Sequence, residues 1–150
     1  MIWIAHRGNI KQKEPHLENH PDYLMAAIQK GYDVEVDVWL VDNNWVLGHD
    51  APQYQVSSSF LAHNQMWLHA KNLLALARLV KEKHHCFWHQ EDDVTLTSRG
   101  YLWTFPGKEL MPGSISVMPE FVQYSPQELQ RCAGICTDRI EYYQNFLSSK

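Results

Sequence analysis

The chain is poor in cysteine and has no long apolar run, no block of basic residues, and no repeated or low-complexity tract. Each shortage excludes something. Cys86, Cys132 and Cys136 are too few, and odd in number, to build a disulfide framework. Cys132-x-x-x-Cys136 is at most half a zinc site, because structural zinc takes four ligands and no second close pair completes it. Reduced, buried thiols in a cytoplasmic chain are the expectation. No stretch of about 20 apolar residues occurs, so no membrane span is expected. The segment Met1 to His6 lacks a basic flank and is too short for a signal peptide. With net charge −4 and no Lys/Arg cluster, binding of nucleic acid or a membrane surface through a broad basic face is excluded.

What remains is an ordinary globular composition. The 150 residues, 45% hydrophobic and 20% charged, favour a single domain over 1–150 with a packed core. Nine histidines and six tryptophans are more than the length leads one to expect, and most of the tryptophans are expected in the core or at its rim. Short runs rich in Val, Ile, Trp and Phe recur at Ile2–Ala5, Val34–Val41, Trp45–Leu47, Met66–Ala70, Cys86–Trp88, Tyr101–Phe105, Ile115–Met118 and Gly134–Cys136. Most end in a polar residue: His6, His49, Lys71, His89, Glu120, Asp138. In a parallel sheet such ends gather on one face, where chemistry collects.

Between these runs, helices are predicted over Pro21–Lys30, Leu73–Lys83, from Ser125-Pro126 to Cys132, and over Glu141–Leu147. Leu73, Leu76, Ala77 and Val80 are the predicted inner stripe of the second, with Asn72 as its cap. Asp42-Asn43-Asn44 predicts a hairpin, and Ala51–Ser59 and Asp92–Gly100 read as loops. The order predicts an α/β fold. Eight β/α units need roughly 250 residues, so the expectation is a compact, reduced TIM-type barrel in which loops replace several helices. An open parallel sheet is the alternative.

The chemistry sits between Ile4 and Asp50. Glu35 and Asp37 lie two apart on a strand and therefore face one way, with Val34, Val36 and Val38 facing the other. Two like charges side by side call for a cation or a base, and oxygen ligands suit Mg²⁺, Ca²⁺ or Mn²⁺. His6 and His49, at strand ends, can take and give protons near neutral pH. Arg7 offers a fork for a phosphate, and Lys71 a point charge. The pattern is what metal-assisted cleavage of a phosphodiester needs. His89-Gln90-Glu91-Asp92-Asp93 reads as a polar turn, although His89 and Glu91 reach the active face if their strand is parallel. Trp103 and Phe105 are expected to wall the pocket or fill the core.

Ile4-Ala5-His6-Arg7-Gly8, Glu18-Asn19, Ala26-x-x-x-x-Gly31-x-Asp33-x-Glu35-x-Asp37-Val38, His49-Asp50, Leu68-x-x-Lys71 and Gly134-Ile135-Cys136-Thr137-Asp138-Arg139 together resemble the glycerophosphodiester phosphodiesterase family. Cys86 to Phe121 matches poorly. The resemblance implies a TIM-type barrel and hydrolysis of a glycerol-linked phosphodiester with a divalent cation. It implies His6 and His49 as the acid/base pair, Glu35 and Asp37 as cation ligands, and Arg7 and Lys71 near the phosphate. The family places a third ligand, glutamate, where this chain has His69. Imidazole there shifts preference toward Mn²⁺ or Zn²⁺, and Glu120 is the other candidate for the missing carboxylate. The expected substrate is a small soluble phosphodiester. The rivals are a non-catalytic phosphate or sugar-phosphate binder with a degenerate metal site, and a transition-metal hydrolase or lyase acting on a lipid. A homo-oligomer would cover flanks that a shortened barrel leaves bare.

Overall fold

The computed structural model describes residues 1–149. The strands are β1 Ile2–His6, β2 Asp33–Val41, β3 Asn44–Leu47, β4 Tyr54–Val56, β5 Met66–Ala70, β6 Cys86–Phe87, β7 Val94–Leu96, β8 Leu102–Thr104, β9 Ser114–Val117 and β10 Gly134–Thr137. The helices are α1 Pro21–Gln29, α2 Leu73–Lys81, α3 Pro126–Gln130 and α4 Ile140–Ser148. Every predicted strand and helix is present. β4 and β7 fall in stretches read as loops: each has three residues, too few for alternation to register.

Local chemistry accounts for the boundaries. The His20 ring accepts from the Asp22 amide at the start of α1, Pro21 fills the first turn, and Gly31 follows the helix at φ +89°. The two-residue turn between β2 and β3 holds Asp42 and Asn43 at φ 48° and 64°, the left-handed pair that such hairpins require. Asn72 caps α2 by accepting from the Ala75 amide (2.9 Å). Its side chain also bonds the Leu40 amide and carbonyl on β2 (3.3 and 3.0 Å). That tether fixes the helix's rotation about its own axis. Ala75 and Leu79 are buried and Leu76 partly so, while Leu73 and Val80, assigned to the inner stripe from sequence, are 70% and 55% exposed.

The barrel expectation is corrected. Seven strands run parallel in the order β6-β5-β2-β1-β10-β9-β8, but β7 is antiparallel to β8, and β3 and β4 extend antiparallel from the far half of β2. The result is a mixed sheet curled into a half-barrel. β6 and β8 form no ladder. Only β1–β2, β5–β6 and β9–β10 are joined through α-helices; β2 reaches β5 through β3, β4 and a 3-10 turn, and β6 reaches β8 through β7. The connections are too short to wrap a ring of helices around the strands.

Alternation divides the core in two. Ile4, Trp67, Phe87, Trp103, Ile115 and Cys136 pack on the concave face. Ala5, Val34, Val36, Val38 and Leu68 face the other way against α1 and α2. Cys86, Cys132 and Cys136 are free and buried. Among the described residues no helix is long and apolar enough to cross a membrane.

Candidate active site

Strand register assembles the site. In the parallel pairing His6 lies beside Glu35, and Asp37 beside His69. Residues at equal register share a face, so all four project to the concave side above Ile4 and Trp67. Atoms of Glu35, Asp37 and His69 lie within 4.8 Å of one another. His69 Nδ1 is 3.1 Å from Asp37 and 3.5 Å from Glu35. Its Nε2 donates to the His89 carbonyl (3.0 Å), and the ring stacks on Phe87 at 5.0 Å. This fixes the ring orientation in which Nδ1 faces the carboxylates.

Asp37 is fully buried and heavily compensated. Arg7 Nε (3.0 Å), Lys71 Nζ (3.5 Å) and the Asn19 amide side chain (2.9 Å) all reach its oxygens. Burial pushes its pKa up, but His69, Arg7 and Lys71 outweigh burial and hold it well below the usual carboxylate range. Burial likewise lowers His69, and its contacts with Asp37 and Glu35 more than reverse this, to about 9. Arg7 sits at φ 51°, a strained conformation for a side chain of its size, and Gly8 follows at φ 94°. A Cβ on Gly8 would stand 2.7 Å from the Tyr23 ring. This turn directs Arg7 to Asp37 and, through Nη1, to Glu18 (3.0 Å).

His6 Nδ1 donates to Asp138 (2.7 Å), which also accepts from Asn9 (2.8 Å). Nε2 is thereby turned toward Glu35, 4.0 Å away. Burial depresses His6, but Asp138 and Glu35 together raise it above its ordinary value. His49 lines the cavity, and its Nδ1 lies 2.6 Å from the solvent-exposed Asp50 carboxylate. Both histidines therefore hold a carboxylate on Nδ1.

One cavity of about 530 Å³ is lined by His6, Arg7, Glu35, His49, His69 and Lys71, and Asp37 lies directly behind it. All seven residues expected from sequence are thus brought together. Glu120 is not available as a ligand: its carboxylate accepts from Thr137 Oγ1 (2.9 and 3.0 Å) and from the Asp138 amide. Asp138, Asn9, Glu18 and Asn19 were missed as working parts of the site. For Asp138 the available signal was a polar residue closing an apolar run, but its partner is 132 positions away. His89, read as part of a turn, lines the cavity, whereas Glu91 is exposed and does not. Trp103 both packs the core and walls the cavity.

The residues fit a divalent cation. Glu35 Oε2 is buried without a hydrogen-bond partner, and Asp37 Oδ1 accepts no well-formed hydrogen bond. Two carboxylates and an imidazole form a mixed donor set that suits Mn²⁺ or Zn²⁺ better than Mg²⁺ or Ca²⁺.

No protein-family profile, curated protein or solved structure matches this chain.

Proposed function

We propose that the protein is a phosphoric diester hydrolase of the glycerophosphodiester phosphodiesterase type, working by histidine acid/base catalysis beside a divalent cation. The observation that carries this reading is the single cavity that holds two carboxylate-backed imidazoles, Glu35 and the cationic Arg7 and Lys71. Glu35, Asp37 and His69 would hold the cation, which when bound neutralises phosphate charge and polarises the phosphorus centre. Lys71 and Arg7 add positive charge around the same anion. One histidine takes the proton of the attacking water at Nε2, and the other returns a proton to the leaving alcohol. Asp138 and Asp50 keep each ring in the tautomer this requires. His6→Ala and His49→Ala should each remain folded by circular dichroism and lose on the order of 10²–10⁴ in kcat on a model phosphodiester. Full activity in both variants would remove the assignment.

A metal-free phosphate binder is the second reading. It is favoured by the compensation of Asp37, which Arg7, His69 and Lys71 already neutralise. Calorimetric titration with Mn²⁺ separates the two: phosphate binding without cation binding supports the binder.

A further inference from the structure

The cavity has two unlike parts. The charged groups gather where the ends of β1 and β5 lie beside the middle of β2, with His49 just past β3, and most of the remaining wall is Trp103, Phe105, Pro106, Val117, Met118 and Phe121. Outside the charged cluster, the polar groups of the lining are Lys13, His89, Gln90 and the indole N–H of Trp103. We propose that the substrate carries an alkyl-like alcohol on one side of its phosphate, seated on this apolar wall; this inference rests on the phosphodiester reading of the charged part.

Three observations carry it. First, Phe121 is 70% exposed and Phe105 45% exposed, and both line this cavity. Single exposed apolar residues need no explanation. Two large aromatic rings on one cavity, continuous with Trp103, Val117 and Met118, form a surface that gains free energy when covered. The expectation of a small soluble substrate rested on the sequence showing no exposed apolar surface.

Second, Met118 adopts a left-handed conformation at φ 45° and ψ 54°, which a residue with a long side chain rarely holds without a surrounding reason. It is the hinge between β9 and the turn Pro119–Phe121, so the strain falls where the strand end is bent to carry Phe121 to the cavity.

Third, a polyol against this wall would give up hydrogen bonds to water with few protein groups to replace them, whereas an alkyl group gives up none. At 530 Å³ the cavity also falls within the size range of sites that enclose a ligand larger than a bare phosphate.

The test is calorimetric titration of the full chain with methyl, butyl and hexyl phosphate, which share a head group and differ only in the alcohol. Full burial of each added methylene improves affinity by about fourfold, so the expected result is at least a tenfold gain from methyl to butyl. Phe105→Ser and Phe121→Ser, both at partly exposed positions, should retain methyl phosphate binding and lose much of that gain. Equal affinity along the series, or an undiminished gain in both variants, overturns the inference and leaves the phosphate site standing. No binding of any ester overturns the phosphate site and this inference with it. A chain-length gain without hydrolysis of any diester supports the apolar subsite and contradicts only the catalytic reading.

Discussion

At the residue scale, the site depends on buried charges that are individually costly and compensated by neighbouring charges of opposite sign. Asp37 shows this most clearly. Replacing it with alanine leaves Arg7, His69 and Lys71 facing a void, and removing one partner of a buried ionic network is strongly destabilising. Asp37→Ala should lose about 3–5 kcal/mol in urea denaturation. A loss under about 1 kcal/mol would mean that water reaches the site freely. Asp138 acts through His6. Asp138→Asn keeps the shape but no longer fixes the donor tautomer, so it should lower kcat on the order of 10²-fold or more while leaving the fold intact. Because Asp138 also helps raise His6, the pH profile should move to lower pH. An unchanged profile would remove Asp138 from that role. Glu35 and Asp37 were legible in the sequence because both lie on β2, where the two-residue period says which way they point, whereas His69 was reached only through the family resemblance. The His6–Asp138 contact was not legible, because β1 and β10 are opposite ends of the chain and only the sheet order makes them neighbours.

At the scale of elements, strand positions were easier to read than helix faces. A strand has two faces and alternation chooses between them, as Glu35 and Asp37 against Val34, Val36 and Val38 demonstrate. A nine-residue helix with Leu73, Leu74, Leu76, Leu79 and Val80 offers several apolar stripes, and its tether at Asn72 selects among them. Leu79→Ala should therefore cost about 2–5 kcal/mol, as cavities in packed cores do, while Leu73→Ala should stay within about 0.5 kcal/mol. The reverse order would restore the stripe expected from sequence. The β1–β10 pairing makes a second check. A Cβ on Gly134 would stand 2.7 Å from the Ile2 carbonyl oxygen, a backbone atom that cannot swing aside. Gly134→Ala should destabilise by about 1–3 kcal/mol through overpacking. A neutral result would mean that the strands are further apart than the register implies.

At the scale of the whole molecule, a curled mixed sheet with few helices brings the site together, because β1, β2 and β5 lie side by side in parallel. The sequence patterns carried the strands and the site. They did not carry the sheet's failure to close, which depends on connections whose lengths were visible but whose routes were not. Stability should respond to pH through His85, which is buried beside Trp67 and hydrogen-bonded to Thr97. Burial, aided by the positive charge of Arg99, lowers its pKa from 6.5 to about 4. Between those values the unfolded chain binds more protons than the folded one, so stability falls as pH drops from about 6.5 toward about 4. Comparing the wild type with His85→Gln at pH 7 and pH 4.5 isolates this contribution: the wild type's advantage should shrink at the lower pH, and a constant difference would contradict the assignment. The central claim is that Glu35, Asp37 and His69 hold a cation serving phosphodiester cleavage. The most direct measurement is hydrolysis of a model phosphodiester by EDTA-stripped protein as Mn²⁺ is returned, run on the wild type and on Glu35→Gln. The account predicts activity that rises to saturation in the wild type and does not return in the variant; full activity in EDTA, or equal recovery in Glu35→Gln, would contradict it.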